Sequence, residues 1–179
     1  MNIRNKQTPL CNLLKCDKDV FSVGGFCTAK SDARYRCGQT RICGGKMVIR
    51  EYNDFKEDEI HRLYAEVGWT AYTENMTALE QGYKNSLLVL AAYDNEELLG
   101  IIRVVGDDYT IIWIQDIVVS PARQRQGIGT SLLKAVLCKY SDVRQIELAT
   151  DNTPETIAFY KSLGFSEFSD IGCCGFMRC

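Results

Sequence analysis

The stretch from Asp116 to Tyr140 constrains the fold of this chain more than any other. Asp116-Ile117-Val118-Val119 reads as an apolar strand, and Ser120 to Gln126 carries it into Gly127-Ile128-Gly129-Thr130. Beyond that point Leu132, Leu133, Val136, Leu137 and Tyr140 fall on one helical face. A strand that enters a helix through two glycines builds an anion site. Glycine lets the backbone approach an anion closely, consecutive N–H groups converge on it, and the new helix adds the positive end of its dipole. Arg123 and Arg125 raise the local potential further. A strand-to-helix turn with incidental glycines would account for the two glycines alone, so the segment has to be weighed with what surrounds it.

The surroundings are readable from Met47 onward. Met47–Asn53 is a strand candidate; Asp54 precedes Glu57 by three residues, as an N-cap would, and helix follows through Ile60, Leu63, Tyr64 and Val67 to Gly68. Trp69 to Thr73 is a short aromatic segment, and Glu74 to Lys84 reads as a second helix. Three strands then follow at turn spacing: Ser86–Asp94, Glu97–Val105 and Tyr109–Ser120, an antiparallel meander. After the helix that begins at Gly129, Gln145–Thr150 is another strand. Thr153 caps a helix with Pro154 at its first position, where a missing N–H is harmless. That helix ends at Gly164, and Phe165–Ser169 with Cys173–Arg178 is expected to form a closing hairpin. The order is β-α-α-β-β-β-α-β-α-β-β.

Residues 1–46 show no such periodicity. They carry nine Lys/Arg against three Asp, whereas residues 47–179 carry twelve against twenty acidic residues. Cys11, Cys16, Cys27, Cys37 and Cys43 lack the paired short spacing that presents two thiolates to one tetrahedral ion, so no metal site is expected. Gly44-Gly45-Lys46 is compatible with purine-rich codons of ribosome-binding type just before Met47. The expectation is therefore a Cys-containing basic leader over 1–46, not native or disordered, and a domain over 47–179. The net charge of −2 excludes a strongly basic nucleic-acid binder. The longest apolar run, Leu87 to Tyr93, falls far below the roughly 20 residues of a membrane span, so no membrane partner is expected. With no secretory signal in the first 30 residues, a cytoplasmic protein with reduced thiols is the expectation.

Gln124-x-x-Gly127-x-Gly129 is similar to the pyrophosphate signature of the GNAT acetyltransferase superfamily, and Ile117-Val118-Val119 to its cofactor strand. Asn152, followed by Ala158-Phe159-Tyr160-Lys161-Ser162-Leu163-Gly164-Phe165, resembles that family's second signature. The element order resembles the family's too, over residues 47–179. The resemblance implies the GNAT fold, an α/β (α+β) domain with a central, mixed, mostly antiparallel sheet flanked by helices. It also implies an N-acetyltransferase of bacterial type that moves an acetyl group from acetyl-CoA to the primary amine of a small molecule by direct attack. The backbone of Ile117, Val118 and Val119 would pair with the pantetheine arm. The N–H groups of Arg125, Gln126, Gly127, Ile128, Gly129 and Thr130 would hold the pyrophosphate. Gln124, where many members have Arg, completes the cofactor set with Asn152 and Tyr160. Many relatives pair as dimers.

The chemistry sets two demands. An alkylamine with a pKa near ~10.4 is mostly protonated at neutral pH, so a base or water relay must take its proton. The departing thiolate then benefits from a donor. Tyr160 is the family position for the donor, and its helical spacing with Ile157 and Leu163 also suits a core ring. For the base the chain offers Asp116 and Glu147, with backbone carbonyls and water as alternatives; either acid is also explained as solvated or paired with an arginine. Trp69 and Tyr72 lie where the family builds its acceptor pocket and suit an apolar or aromatic amine, although ordinary packing explains them as well. His61 is expected at the surface and Cys138 in the core, with Cys173-Cys174 as reduced thiols. Two other functions compete: acetylation of a protein or peptide, and a catalytically idle acyl-CoA-binding regulator.

Overall fold

The computed structural model describes residues 39–42 and 45–178, with side chains from Met47 onward. The leader's five cysteines lie outside the residues whose side chains are described. Strands β1 (Gln39–Ile42), β2 (Gly45–Glu51), β3 (Leu88–Asp94), β4 (Glu97–Gly106) and β5 (Ile111–Val119) form an antiparallel succession, and β6 (Gln145–Leu148) joins β5 in parallel. The sheet is therefore mixed and mostly antiparallel. Its strand pairing reaches back past Met47: Met47 faces Thr40 on one side and Asp94 on the other, so β2 begins at Gly45 and β1 lies within the expected leader. Periodicity could not reveal a four-residue edge strand, too short to show an alternation.

Helices α1 (Glu57–Glu66), α2 (Thr70–Thr73) and α3 (Met76–Lys84) cover one face of the sheet. There Ile60, Leu63, Tyr64, Leu79 and Tyr83 pack on Val89, Ala91, Ile101 and Val118. Asp54 does not cap α1. The helix starts at Glu57 after Lys56, whose backbone N–H donates to the Tyr52 hydroxyl at 3.0 Å, and Glu57, Asp58 and Glu59 place negative charge at the positive end of the dipole. Gly68 closes it with φ +78°, a left-handed turn that favours glycine. Asn75 caps α3 by accepting from the Ala78 N–H, which delays the second helix to Met76 and leaves α2 as a separate turn carrying Tyr72.

The other face is covered by α4 (Ile128–Lys139) and α5 (Pro154–Lys161), packed on Leu90, Ala92, Leu99, Ile102, Ile112 and Ile114. Thr153 caps α5 by accepting from the Thr156 N–H at 3.2 Å, with Pro154 behind it. Cys138 is exposed on the outer side of α4, a correction to its expected core placement: Leu132, Leu133, Ala135 and Val136 fill the buried stripe. The closing hairpin does not form. Phe168–Ile171 is a 3₁₀ turn ended by Gly172 at φ +75°, and Cys173–Arg178 is without regular structure, with Phe176 and Met177 exposed. Gly172-Cys173-Cys174-Gly175 offers no alternation that would bury one face of a strand.

Candidate active site

The site begins with a one-residue irregularity in β5. Arg103 faces Asp116 across the ladder, but Val104 faces Ile114, so Gln115 is an extra residue on β5. Side-chain alternation reverses there. Before it Ile112 and Ile114 point to the α4–α5 side; after it Ile117 and Val119 do, while Val118 packs under α1–α3. The bulge thus turns Asp116, which unbroken alternation would give to the α4–α5 side, toward Tyr64 and Arg103.

Gln115 also marks where β5 and β6 part. Their pairing runs from Ile111 with Gln145 to Ile114 with Leu148 and stops. From Asp116 to Val119, among the described residues, β5 is paired with β4 alone, so one edge of Ile117, Val118 and Val119 opens into the gap. Backbone groups there are suited to an extended amide-bearing arm. At the end of that edge the chain turns through Pro121–Arg123 into the loop before α4. Arg125 (φ 62°) and Gly127 (φ 81°) both adopt left-handed backbone, and an alternation of this kind folds successive N–H groups into a concave anion nest. The first N–H groups of α4, at Ile128, Gly129 and Thr130, lack intrahelical acceptors and extend that nest. A Cβ on Gly129 would touch Ile117, Val119 and Phe159 at 3.7–3.8 Å, so the strand end, the loop and α5 meet at this glycine.

Two polar side chains of the loop face elsewhere. Gln124 donates its amide to the Val119 carbonyl at 3.2 Å, tying the loop to the strand. Arg123 is paired with Glu97 at 2.6 Å, leaving the exposed Arg125 as the cation carried by the nest. Asn152 is exposed between β6 and α5.

Tyr160 is 8% exposed, with Phe159 and Phe165 edge-on at 5.0 and 5.8 Å. Burial raises the proton affinity of its phenol, and a hydrogen bond with Thr150 opposes that only in part. It is a core ring, and its phenol stays neutral.

Across the sheet, Asp116 is 2% exposed. Its Oδ2 accepts from Arg103 Nε at 2.5 Å and from the Tyr64 hydroxyl at 3.0 Å, and Tyr64 shares a hydrogen bond with Tyr83 at 3.1 Å. Among the described residues Oδ1 is buried with no partner at hydrogen-bond distance, and the Tyr72 hydroxyl interacts with the same carboxyl. Above it Tyr72 packs edge-on to Tyr64 at 5.3 Å, stacks on Trp69 at 5.8 Å and accepts from the Gln115 amide at 3.4 Å. Trp69 and Tyr72 therefore do form one aromatic wall, and it stands over Asp116. Glu147 lies on β6 opposite Trp113, short of the parting, and accepts from Gln145 at 2.8 Å. The sequence reading missed Arg103, Tyr64 and Tyr83. An arginine between apolar residues of a buried strand, Ile101-Ile102-Arg103-Val104, was the available signal, because such a cation needs a buried partner.

Comparison with known proteins agrees with this geometry. Residues 85–167 match the acetyltransferase (GNAT) domain model. An uncharacterized N-acetyltransferase ycf52 from Gracilaria tenuistipitata var. liui is 28% identical over 130 residues, covering 68% of this chain and 70% of its own. A GNAT-family acetyltransferase from Streptococcus pneumoniae TIGR4 is 36% identical, with a TM-score of 0.68 over 74% of this chain and 97% of its own. AAC(6')-Iy, solved with the bisubstrate analog CoA-S-monomethyl-acetylneamine, shares the fold at 17% identity and a TM-score of 0.60, over 74% of this chain and 97% of its own. With the parted strands and the glycine nest in place, these likenesses make the chain a member of the GNAT acetyltransferase family.

Proposed function

We propose that this protein transfers an acetyl group from acetyl-CoA to the primary amine of a small molecule, by direct attack in the gap between β5 and β6. The observation that carries this reading is the parting of those strands at Gln115, with an anion nest at one end of the open edge and a buried carboxylate at the other.

The residues fit an acetyl-CoA molecule, which supplies an activated thioester. The open edge of Ile117–Val119 would pair with its amide-bearing arm, and the Arg125–Thr130 backbone would hold its pyrophosphate. The Trp69–Tyr72 wall gives the acceptor an apolar surface, which suits an amine with an aromatic or apolar body. The ammonium first loses one proton to solvent at the exposed rim formed by Gln115. As the C–N bond forms, nitrogen becomes strongly acidic and Asp116 Oδ1 takes its second proton. The C–S bond breaks, and Tyr160 gives its phenolic proton to sulfur. One proton passing from Asp116 to Tyr160 through solvent resets the site. Glu147 is the lesser candidate for the base, because it lies opposite Trp113, where β5 and β6 are still paired.

The test is thiol release from acetyl-CoA with three amines, 2-phenylethylamine, kanamycin and a lysine peptide, beside calorimetric titration of acetyl-CoA. Turnover of a small amine supports the proposal, and preference for the peptide replaces the acceptor class. Binding without turnover of any of them would make the protein an acyl-CoA-binding regulator.

A further inference from the structure

The Arg103–Asp116 pair raises a chemical problem. A lone carboxylate beside an amine stabilises the ammonium form and makes it a poor nucleophile, since an opposite charge within a few ångströms shifts an ionisation by about 1–3 units. Yet Oδ1 is the carboxyl oxygen not taken by Arg103 and Tyr64, and the Tyr72 hydroxyl beside the carboxyl marks where an amine N–H could reach it.

The elements packed around Asp116 supply the answer. Tyr64 comes from α1, Tyr72 from α2, Tyr83 from α3 and Arg103 from β4. Burial, foremost, raises the proton affinity of all three phenols, so they stay neutral. Arg103 is different. Burial works against its charge, but the Asp116 carboxylate outweighs that penalty and leaves the guanidinium more firmly protonated than usual. Its side chain is enclosed: Nη1 reaches the Ser86 hydroxyl at 3.4 Å, and the guanidinium lies 5.6 Å from the Tyr83 ring centroid. α3 leaves room for it at Gly82, where a Cβ would come within 3.3 Å of Nη1. Glycine inside a helix is unfavourable relative to alanine, so the enclosure is maintained against local propensity.

We infer that Arg103 is a positioning residue for acetyl transfer: it binds Asp116 through Oδ2 and cancels its charge, so that Oδ1 can take an N–H of the acceptor amine without holding that amine protonated. The pair presents a directional acceptor with almost no net charge. Tyr64 holds the same oxygen as Arg103 and so keeps Oδ1 as the atom that faces the amine. This rests on the acetyl-transfer reading above, with the acceptor amine taking the place of the Tyr72 hydroxyl beside the carboxyl and displacing the long Gln115–Tyr72 contact.

The test uses the full chain and whichever of 2-phenylethylamine, kanamycin and the lysine peptide is turned over. It compares wild type, Arg103→Gln and Arg103→Lys by pH–rate profile and by acetyl-CoA calorimetry. In Arg103→Gln the acid limb of kcat should move to higher pH by about 1–3 units. At neutral pH kcat should fall by about 10- to 100-fold, as for loss of a group acting on proton transfer. Acetyl-CoA affinity should hold within about two-fold, because the donor site is separate. Arg103→Lys keeps the charge, so its acid limb should stay where wild type has it even if kcat drops.

An unchanged acid limb in Arg103→Gln that still binds acetyl-CoA overturns the inference alone. If Arg103→Gln does not fold, Arg103→Lys decides: a limb displaced by about a unit or more overturns the inference, and a limb in place supports it. No turnover of any of the three amines by wild type overturns the acetyl-transfer reading and the inference with it.

Discussion

Tyr160 sits between Phe159 and Phe165, where burial keeps its phenol neutral, and the proposed mechanism has that O–H protonate the departing thiolate. Tyr160→Phe keeps the ring packing and removes the O–H. Turnover measured by thiol release should fall at least ~100-fold, with acetyl-CoA affinity by calorimetry almost unchanged. Unchanged turnover would remove Tyr160 from the mechanism. The two glycines of the nest differ physically. Gly127 has open space for a Cβ but a φ of +81°, while Gly129 has ordinary φ and would meet its neighbours at normal contact distance. Alanine at Gly127 carries the left-handed penalty of about 1–2 kcal/mol, so Gly127→Ala should weaken acetyl-CoA binding about 5- to 30-fold in calorimetry. Gly129→Ala, read the same way, should weaken it less.

At the scale of elements, caps and turns carry testable stability. Thr153 gives α5 its first acceptor, and Thr153→Ala should destabilise the protein by about 1 kcal/mol in urea denaturation. The turn from β4 to β5 depends on Asp107, whose carboxylate accepts from the Thr110 hydroxyl and from the backbone N–H groups of Tyr109, Thr110 and Ile111. The Thr110 side chain first, and then those N–H groups, hold its proton affinity well below the usual carboxylate range. A group depressed in the folded state stabilises it at pH values above its unfolded pKa, near ~3.9, and loses that contribution as pH falls toward the folded value. The urea midpoint of wild type should therefore exceed that of Asp107→Asn at pH 7. The two midpoints should draw together as pH falls below about 4 and converge only below the folded-state value, well under the usual carboxylate range. A difference that persists there would assign the turn's stability to something other than the carboxylate charge.

The described domain is a sheet whose two faces carry separate cores, with the candidate site where one strand leaves its neighbour. Among the described residues β1 is an edge strand bonded to β2 alone, so residues 47–179 should still fold and bind acetyl-CoA, with a lower melting temperature than the full chain. Loss of binding in that shortened chain, shown folded by circular dichroism, would make the earlier residues part of the cofactor domain. Much of this was legible in the sequence. Strand β3, the Thr153-Pro154 cap, the amphipathic α4 and the glycine nest depend on local periodicity and on backbone rules that act within a few residues, so neighbouring residues alone determined them. The closing hairpin was misjudged because strand-like composition says nothing of a pairing partner, and β1 was overlooked because its strand character comes from β2. The site divides the same way. Its glycine loop, with left-handed backbone at Arg125 and Gly127, is continuous in sequence and was legible there. The Asp116 environment is assembled from α1, α2, α3 and β4, and a one-residue bulge at Gln115 sets which face Asp116 occupies. Hydrogen bonding between residues dozens of positions apart decided that, and no local pattern records it.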